Sequence, residues 1–567
     1  MPRRAVLSVA DKGEIEYLAE ELGKLDFLLY STGGTKDRLD SGCSFEINPI
    51  SVITGVDESG GGKVKTIHHK IAAGLLHGEG DPQYTEWNDS EGVETIHVVA
   101  NNLYPFEDTM FKFLDAGGDI HSDEADEIAL EFCDIGGTLL HGAGAKSPHA
   151  AILSRPSQYE RAIKELQQDG KFSKEFQTHL SRIAHLEMGI NRLMLSEFYR
   201  MRDTTAERFD ETVVQIFSRF RQFRYGENSH QDACGYKKRS FLPPRGVINA
   251  QVLKEGKELS RNNILDLDAA VKAAGVMYLL DGAENGVVTV KHGNPCGFAT
   301  GASLEKAIEQ SYLGDPLSAF GGILAIKGKV TKKDAEKIQE LYYKDGAFIE
   351  AIVAESYTTA ALKVLHKKKN IRTLQLDSFK DSNPDELQIV NVDGGAMLET
   401  KDNKLYEKLE VVAGRFATRQ KRGLLEAGIA SVMPYWSNAV SIVHEYEPGQ
   451  YAVVGAGIGN ANRVLSTKEA CEMAHNHFRD EYIRDNDTKT GSADYAMKKM
   501  RECVMTSEAF FPDKDNVEVA QKWNIKTIIQ PGGSNADKDV NKYCKDNKIT
   551  MIHTGTRHFN HGGKAPL

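Results

Sequence analysis

The chain has 567 residues, of which 40% are hydrophobic and 27% charged, and its formal net charge is −11. This length predicts two or three domains of a globular protein, and the acidic balance argues against general nucleic-acid binding. The seven cysteines are scattered and include no C-x-x-C pair, which excludes a disulfide framework, a zinc knuckle and a thioredoxin-like motif and fits a reducing compartment.

Membrane and export signals are absent from the sequence. The first residues lack the pattern of a signal peptide, and no run of about 18 apolar residues occurs anywhere. We therefore expect a cytoplasmic protein that does not span a membrane.

The first third of the chain alternates strand-like and helix-like segments. Residues 5–9 and 26–31 have the apolar character of strands, and residues 13–24 have the spacing of an amphipathic helix. The segment 31–35, Ser-Thr-Gly-Gly-Thr, follows the second strand and leads toward a helix. Hydroxyls and glycine amides ahead of a helix could hold a phosphate, although the same residues could form an ordinary turn with an N-cap.

Three further motifs follow in this third. Residues 60–70 combine three glycines with lysines, a threonine and histidines, which favours an anion site over a merely flexible basic loop. The polar and aromatic cluster 101–106 comes directly after a strand-like run at 96–100. In the segment 133–137 a carboxylate, Asp134, precedes two glycines, and Lys146 lies twelve positions later.

A helical connector is predicted from about residue 157. Apolar residues spaced by three and four between 157 and 201 indicate two helices, and the charged stretch 202–208 suits a domain boundary near 200. These helices could also pack against a partner subunit.

The second part of the chain contains a basic residue and an imidazole at a predicted strand end. Residues 287–290 form an apolar β-branched run, and Lys291 and His292 follow it, with residues 293–297 expected to make a turn. Strand ends of α/β sheets commonly hold ligands, so we hypothesise that this pair is catalytic, although such a pair could also simply mark where a strand meets solvent. Asp266 is predicted to N-cap a helix over 267–280.

Two rival functions are disfavoured by particular residues. Gly455 and Gly457 follow a strand-like segment as in a dinucleotide-binding turn, but Asn460 stands where the fingerprint needs its third glycine. The histidines at 553, 558 and 561 lack a nearby carboxylate or thiolate that would complete a metal site. Pro295-Cys296 lacks the second cysteine of the zinc deaminases.

Taken in chain order, the motifs resemble the family of bifunctional purine biosynthesis proteins. The segments that match its cyclohydrolase half are 8–12, 31–35, 63–69, 102–106 and 134–137. Residues 291–297, Lys-His-Gly-Asn-Pro-Cys-Gly, match the Lys-His-x-Asn-Pro-Cys-Gly of its transformylase half at all six fixed positions. Further matching segments are 223–231, 259–266, 315–322, 437–439, 455–463, 507–512, 530–534 and 557–561. The resemblance covers nearly the whole chain.

The resemblance implies an α/β fold with two functional regions. Residues 1–200, including the helical connector from about 157, would form a methylglyoxal-synthase-like IMP cyclohydrolase domain. Residues 201–567 would form the transformylase region, with two similar cytidine-deaminase-like subdomains that lack zinc.

The implied chemistry is the last two steps of IMP biosynthesis. A formyl group passes from 10-formyltetrahydrofolate to the 5-amino group of AICAR (aminoimidazole carboxamide ribotide), and the product FAICAR loses water to give IMP. The expected ligands are therefore AICAR, FAICAR, IMP and folate, with no nucleic acid, membrane or metal. The resemblance also suggests a homodimer whose transferase sites are shared across the interface.

Site residues are carried over by position. For formyl transfer, His292 would take up the proton, Lys291 would stabilise the oxyanion or protonate the departing folate nitrogen, and Asn438 would orient the formyl group. For ring closure, the catalytic residues would be Lys65, which with Thr66 helps to hold the nucleotide, and Tyr104, Asp134 and Lys146, which surround the closing ring. Arg224, Arg463 and Arg557 are the expected partners of the ribotide phosphate. The full set of expected substrate-binding residues is Ser8, Lys12, Ser31, Gly33, Gly34, Thr35, Lys63, Thr66, Asn102, Gly136, Gly137, Arg224, Tyr225, His230, Asn263, Asp266, Gly293, Asp315, Asn460, Arg463, Phe510, Gln530, Arg557, Phe559 and His561.

Three positions in the first region depart from the family pattern. Lys63 replaces an arginine, which removes a bidentate fork for phosphate, His69 replaces a proline, and Gly142 stands where an arginine is usual. An alternative hypothesis follows from these departures. In it, only the transformylase is active, and the N-terminal domain is a nucleotide-binding regulatory or scaffold module.

Overall fold

A computed structural model describes residues 2–57, 65–77, 82–242, 246–381, 383, 386–416, 418–562 and 564–566. The chain divides into two compact units, which are described separately. The first comprises Met1–Phe217 and Lys238–Pro243, and the second comprises Ser218–Lys237 and Pro244–Leu567.

The first unit is built on a parallel five-stranded sheet. Its strands are β1 (Arg3–Leu7), β2 (Phe27–Ser31), β3 (Ile47–Pro49), β4 (Val98–Ala100) and β5 (Ala151–Leu153). Their order is β3-β2-β1-β4-β5, and Ala5 in the central strand lies opposite Leu29 on one side and Val98 on the other. The strands are apolar on both faces because helices cover both sides of a parallel sheet.

Ten helices of the first unit are described. They are α1 (Ile15–Lys24), α2 (Gly33–Gly42), α3 (Ser51–Thr54), α4 (His69–Leu76), α5 (Pro82–Glu91), α6 (Phe106–Asp115), α7 (Asp123–Phe132), α8 (Ile135–Lys146), α9 (Tyr159–Asp169) and α10 (Lys174–Arg202). The strands and helix predicted within residues 5–31 are present with ends shifted by one or two residues. The two helices predicted over 157–201 are α9 and α10, and Ser173 caps α10 through its hydroxyl, which accepts from the Phe176 N–H.

The second unit contains a mixed sheet of twelve strands. In spatial order these are β16 (Glu410–Ala413), β21 (Thr550–His553), β20 (Thr527–Gln530), β19 (Val504–Ser507), β17 (Val440–Glu447), β18 (Gln450–Gly457), β10 (Asn294–Gly301), β9 (Asn285–Lys291), β11 (Ile323–Val330), β12 (Ala351–Tyr357), β13 (Arg372–Gln375) and β8 (Gln251–Glu255). A separate two-stranded sheet pairs β6 (Phe217–Phe223) with β7 (Ala233–Lys238). A three-stranded sheet contains β15 (Gly395–Thr400), β14 (Leu387–Val392) and β22 (Lys564–Pro566).

The helices of the second unit alternate with the strands of the large sheet. They are α11 (Arg261–Val276), α12 (Leu304–Gly314), α13 (Pro316–Ala319), α14 (Lys332–Tyr342), α15 (Thr359–Leu365), α16 (Thr418–Val432), α17 (Arg463–Asn486), α18 (Ser492–Met500), α19 (Asp515–Lys522) and α20 (Asp537–Asp546). Short 3₁₀ turns lie at Pro156–Gln158, Val247–Asn249, Met277–Leu279 and Lys344–Gly346.

The large sheet is an internal repeat. From β8 to β10 the neighbouring strands β8, β13, β12, β11, β9 and β10 pair antiparallel, parallel, parallel, antiparallel and antiparallel. The strands β16, β21, β20, β19, β17 and β18 follow the same sequence of senses. The two halves join through the antiparallel pair β10 and β18, where Ala299 lies opposite Ala452.

Three local predictions in the second unit are wrong. The helix expected from residue 267 begins at Arg261, and its N-cap is Ser260 rather than Asp266. The turn expected over 293–297 consists of His292 and Gly293 alone, because β10 already begins at Asn294. Gly455 and Gly457, which were expected to follow a strand, lie within strand β18. A Cβ on either would come within about 2 Å of a carbonyl oxygen of α17, so these glycines permit close packing of the helix on the strand.

Among the described residues, none of the helices combines the length and the apolar character that crossing a bilayer requires.

Candidate active sites

The carboxyl edge of the five-stranded sheet gathers the first group of polar motifs. Ser8 follows β1, Thr32 follows β2 and Asn102 follows β4, and parallel strands bring such ends to one edge. The Ser8 Oγ and Thr32 Oγ1 atoms are 2.7 Å apart. The Asn102 Oδ1 accepts from the backbone N–H groups of Ala10 and Asp11 at 2.6 and 2.8 Å. The side chain of Asn102 therefore fixes the turn after β1.

Two other predicted ligands are also used by the fold. Ser31 is fully buried, and its hydroxyl donates to the Leu7 carbonyl at 2.7 Å. The Thr35 hydroxyl donates to the Val9 carbonyl at 3.0 Å and accepts from its N–H at 3.1 Å. The Ser31 hydroxyl therefore ties β2 to β1, and the Thr35 hydroxyl ties α2 to the residues that follow β1.

The start of α2 is the part of this edge best suited to an anion. The helix begins at Gly33, inside the predicted loop, so its first amide groups face away from the helix body. The Lys12 Nζ is 3.3 Å from the Val9 carbonyl, and its Cε would lie 4.0 Å from a Cβ added at Gly34. The ammonium group therefore lies close to the beginning of this helix.

The start of α8 brings three motifs together. Asp134 is its N-cap, and its Oδ1 accepts from the Gly137 N–H at 2.6 Å. A Cβ at Gly136 would lie 2.4 Å from the Thr66 Oγ1, so only glycine allows this approach. The Tyr104 ring packs edge-on against Phe132, which precedes the cap, with centroids 5.9 Å apart. Lys63 and the glycines at 60–62 lie outside the described residues.

The surroundings of Asp134 shift the pKa of its carboxyl in two directions. Burial raises the pKa of the Asp134 carboxyl, whereas the Gly137 N–H and the charges of Arg192 and Lys65 lower this pKa. Burial, followed by the charge of Asp134, raises the pKa of Tyr104. Tyr104 therefore stays protonated at neutral pH and can donate a hydrogen bond.

Lys146 is not brought to this group. It is the last residue of α8, and a helix of 12 residues is about 18 Å long. Asp134 and Lys146 thus lie at opposite ends of one helix, which separates Lys146 from the ring-closure residues predicted to surround it.

Two further residues of this region, His141 and Arg192, lie outside the sequence motifs. His141 is fully buried, with its Nδ1 3.0 Å from the Gly137 carbonyl, and burial lowers its pKa to about 4, so it is neutral. Arg192, on α10, places one Nη atom 3.0 Å from the Asp134 carbonyl oxygen. His141 contacts Gly137 within α8 itself, whereas Arg192 reaches Asp134 only through the packing of α10 on α8, which no sequence motif reveals.

In the second unit, Lys291 and His292 lie on a tight hairpin. Lys291 pairs with Asn294 across the β9–β10 turn, and the φ angles of His292 and Gly293 are 54° and 75°. Two successive positive φ values are those of a type I′ turn, which matches the twist of the flanking strands. The Asp266 Oδ1 accepts from the Gly293 N–H at 2.7 Å and so holds this turn against α11.

The electrostatics of the hairpin centre on Asp266 and Lys291. Burial raises the pKa of Asp266, while the Gly293 N–H and the charges of His292 and Lys291 oppose this effect. The Lys291 ammonium donates to the Phe320 carbonyl and lies 5.7 Å from the centroid of that ring.

A cavity of about 340 Å³ opens beside the hairpin. It crosses the seam between the two halves of the sheet, because its walls include residues of β10 and of β18. Cys296 is one of them, and burial raises the pKa of its thiol to about 12, so the thiol stays protonated. Asp315, also in the wall, caps α13 by accepting from the Ser318 N–H at 3.0 Å. The lining residues are Lys291, His292, Asn294, Pro295, Cys296, Gly314, Asp315, Leu317, Ser318, Val453, Gly455, Ala456, Ile458 and Met473.

Asn438 is fixed by a buried network. Its Nδ2 donates to the Asn460 carbonyl at 2.8 Å, and its Oδ1 accepts from Arg463 at 2.7 Å. Arg463 also bonds the Glu508 carboxylate at 2.8 Å and the Phe510 carbonyl at 3.0 Å. The exposed fractions of the two side chains of this ion pair are 10% and 0%. The guanidinium predicted to bind phosphate is therefore engaged in orienting Asn438.

The C-terminal segment contributes an aromatic cluster. The Arg557 guanidinium lies 4.4 Å from the centre of the Phe559 ring, and the rings of Phe559 and His561 are 5.6 Å apart. Trp436, which lies outside the sequence motifs, joins this segment to the hairpin. Its backbone N–H donates to Asn294 at 3.3 Å, and its ring would contact a Cβ at Gly293 or Gly562 at 3.3 and 3.6 Å.

Several predicted ligands have other roles or lie elsewhere. Asn263 forms a capping box with Ser260, and the buried Gln530 accepts from the Phe511 N–H at 2.7 Å. The Asn460 amide donates to Glu469 at 2.6 Å. Arg224, Tyr225 and His230 belong to the segment between β6 and β7 and are not among the described residues that line the cavity.

The described part of the chain contains no group of three or more histidine, cysteine, aspartate or glutamate side chains arranged to hold a metal ion. His558, one of the three C-terminal histidines, is instead buried between the Asp402 carboxylate and the Leu405 carbonyl, at 2.8 and 2.9 Å.

Comparison with known proteins gives one consistent family. The family model described as AICARFT/IMPCHase bienzyme matches residues 144–473. The bifunctional purine biosynthesis protein PurH of Staphylococcus carnosus is 34% identical over 563 residues, which cover 99% of this chain and 100% of that protein. PurH proteins of Persephonella marina and Oceanobacillus iheyensis are 36% and 32% identical over 565 and 564 residues, with the same coverage of both chains.

Proposed function

Because this chain belongs to the AICARFT/IMPCHase bienzyme family of bifunctional purine biosynthesis proteins, we propose that its two reactions take place at two separate centres. The activities are those of AICAR transformylase and IMP cyclohydrolase, the final steps of purine biosynthesis. The observation that supports separate centres is that the Asp134 group consists of residues of the first unit and the His292 cavity of residues of the second.

Formyl transfer is assigned to the cavity beside the β9–β10 hairpin, with AICAR and 10-formyltetrahydrofolate as substrates. The 5-amino nitrogen of AICAR attacks the formyl carbon, the bond from that carbon to the folate nitrogen breaks, and a proton passes from the amine to the departing nitrogen. His292 takes up this proton, Lys291 stabilises the oxyanion or protonates the leaving nitrogen, and Asn438 orients the formyl group. The buried contacts of Asn438 support this role, because they fix its side chain before substrate binds.

Ring closure is assigned to the start of α8. The carboxamide nitrogen of FAICAR attacks its formyl carbon, and water leaves to give IMP. Such an intramolecular step gains chiefly from orientation and from stabilising the developing oxyanion. Lys65 and a protonated Tyr104 are the donors, Asp134 is the acceptor, and Lys12 with the first turn of α2 binds the phosphate. The close approach of Thr66 to Gly136 keeps the segment of Lys65 beside the start of α8.

The finer architecture and setting are part of the same proposal. Residues 1–200 form the methylglyoxal-synthase-like cyclohydrolase domain, and residues 201–567 form a transformylase region of two cytidine-deaminase-like subdomains. The repeated order of strand senses in the twelve-stranded sheet supports two similar subdomains. We assign the protein to the cytoplasm, as a homodimer whose transferase sites are shared between subunits.

The test supplies each substrate separately. Wild-type protein given AICAR and 10-formyltetrahydrofolate should produce IMP, whereas accumulation of FAICAR would favour a first domain without cyclohydrolase activity. His292→Ala should abolish formyl transfer and leave the closure of supplied FAICAR intact, and Tyr104→Phe should do the reverse. Loss of both activities in either variant would contradict separate centres.

A further inference from the structure

Helices α8 and α10 meet in an antiparallel register that places one guanidinium at the start of α8. Arg192 Nη2 is 3.0 Å from the Asp134 carbonyl oxygen and 2.9 Å from the Thr138 Oγ1, and its Nη1 is 3.2 Å from the Cys133 Sγ. Met188 precedes Arg192 by four residues on α10, and Gly142 follows Thr138 by four residues on α8. The Met188 sulfur would lie 4.0 Å from a Cβ added at Gly142. Residues four apart lie on one face of a helix, so the two contacts continue one another along the same pair of faces.

We propose that Arg192 is a positioning residue for ring closure, which holds the cap of α8 so that the Asp134 carboxylate faces the reacting ring. This inference rests on the proposed role of Asp134. The three contacts of Arg192 span residues 133 to 138, the whole turn that carries this carboxylate. Gly142, where the family resemblance leads one to expect an arginine, has no side chain of its own. The facing helix therefore supplies a guanidinium to the same face of α8.

The position of Arg192 also affects the charge at this site. The groups that face Asp134 are the Gly137 N–H from α8, Lys65 and Tyr104 from the two loops, and Arg192 from α10. Burial raises the pKa of Asp134, and the two cations lower it. Removal of the Arg192 charge leaves burial opposed by the charge of Lys65 and the backbone hydrogen bonds of Gly137 and Tyr104, so the pKa of Asp134 rises further. A larger fraction of the carboxyl is then protonated at any given acidic pH.

The experiment measures closure of supplied FAICAR against pH in the full-length protein. Arg192→Gln should lower the rate at neutral pH by about tenfold or more, since hydrogen bonds from a charged group are lost. Its acid limb should move to higher pH, because the pKa of Asp134 rises when the Arg192 charge is lost. Arg192→Lys should retain the position of the acid limb, because it keeps the charge, and lose part of the rate. Formyl transfer should not change in either variant.

Two further variants make the result decisive. Arg200→Gln removes a cation of α10 that pairs with Glu197, and it should leave both the rate and the pH profile of ring closure at wild-type values. Asp134→Asn tests the proposed function itself. If Asp134→Asn abolishes ring closure while Arg192→Gln keeps the wild-type rate and profile, the inference about Arg192 is wrong. If Asp134→Asn leaves ring closure intact, the proposed site is wrong.

A folding defect can be separated from a positioning role. Arg192→Gln combined with Gly142→Arg returns a guanidinium to the same face of α8 from that helix itself. Recovery of rate and acid limb in the double variant supports the proposal. If Arg192→Gln does not fold, Arg192→Lys becomes the test variant. A wild-type rate of ring closure in Arg192→Lys would show that no guanidinium is required and would contradict the proposal.

Discussion

His292 has a backbone conformation that few non-glycine residues adopt. Its positive φ of 54° is followed by 75° at Gly293, and histidine is one of the residue types that tolerate this region. The conformation persists because Asp266 accepts the Gly293 N–H at 2.7 Å and because the antiparallel strands continue on both sides. The orientation of the proposed base therefore depends on a carboxylate that does not itself need to touch substrate.

Replacement of Asp266 tests this dependence. Asp266→Ala should slow formyl transfer by about tenfold or more, because a hydrogen bond to a partly buried carboxylate is lost and the turn is free to relax. Asp266→Asn keeps an acceptor oxygen and should retain more of the rate. Asp268→Asn, which removes the neighbouring carboxylate paired with Lys272, serves as the control. Steady-state rates of formyl transfer and of FAICAR closure give the comparison, and a wild-type rate in Asp266→Ala would show that the turn needs no such partner.

For single residues, the sequence predicts which side chains are chemically reactive better than it predicts which residues they contact. The strand end at Lys291 and His292 was recognisable from an apolar run and a pair of titratable residues. The role of Arg463 was not, because its hydrogen bonds to Asn438 and Glu508 join residues 25 and 45 positions away. Asp266 was assigned to a helix cap for the same reason, since only the fold brings it to Gly293.

Helix α8 is rich in glycine, and its glycines differ in whether the packing around them leaves space for a side chain. A Cβ at Gly136 would lie 2.4 Å from Thr66, and one at Gly144 would lie 2.8 Å from the Ile152 Cβ on β5. A Cβ at Gly142 would meet only the Met188 sulfur, at 4.0 Å. The first two positions need glycine for close approach, whereas Gly142 has space for a side chain.

Alanine at Gly136 should therefore impair ring closure, whereas alanine at Gly142 should stabilise the fold. Gly136→Ala should lower the rate of ring closure by up to about 10²-fold, because Thr66 must move away from the site. Gly142→Ala should raise the free energy of unfolding by about 0.5–1 kcal/mol, since alanine is favoured over glycine inside a helix. Denaturant unfolding and FAICAR closure measure the two outcomes. An active Gly136→Ala protein, or a destabilised Gly142→Ala protein, would contradict this account of the packing.

Elements were predicted well where their periodicity was strong. Strands β1, β2 and β4 and the helices α9 and α10 follow directly from the apolar spacing, whereas the short strands β3 and β5 do not. Helix α11 begins six residues earlier than predicted, because Ser260 and Asn263 form a capping box that resembles an ordinary polar loop in sequence. The separation of Asp134 from Lys146 also escaped prediction, since it requires knowing that all the intervening residues are helical.

The whole molecule contains predicted transferase residues on two separate segments of the second unit. Lys291 and His292 line the cavity, whereas Arg224, Tyr225 and His230 lie on the segment between β6 and β7. The Arg224 guanidinium is only loosely paired, 3.8 Å from Glu258, and its side chain is 56% exposed. A dimer with shared sites would explain this arrangement, because Arg224 of one subunit would serve the cavity of the other.

Subunit complementation tests this explanation. His292→Ala and Arg224→Ala should each abolish or strongly reduce formyl transfer alone. After the two proteins are mixed and allowed to exchange subunits, one intact site per mixed dimer should restore about a quarter of the wild-type activity. Sedimentation before and after mixing checks that the species is a dimer of the 62.7 kDa chain. Absence of recovery despite subunit exchange would mean that both residues act within one chain.

The large-scale organisation was predictable only through resemblance. The order of motifs along the chain identified the family, but no pattern of hydrophobicity gives the neighbours of twelve strands. The pairing of β10 with β18 joins segments about 150 residues apart, so it is set by the packed whole rather than by local sequence.

The repeated sheet has a consequence for how such a chain could arise. Two halves with the same order of strand senses, joined edge to edge through equivalent strands, are what a duplicated gene produces when its two copies of one subunit become a single polypeptide. Two separate identical copies would have to carry the same residues at the seam, whereas two halves of one polypeptide can differ there. In this chain one hairpin turn is His292-Gly293 and the other is Pro448-Gly449, and Asn438 precedes β17. Covalent linkage of the two halves is thus what allows the cavity to be asymmetric.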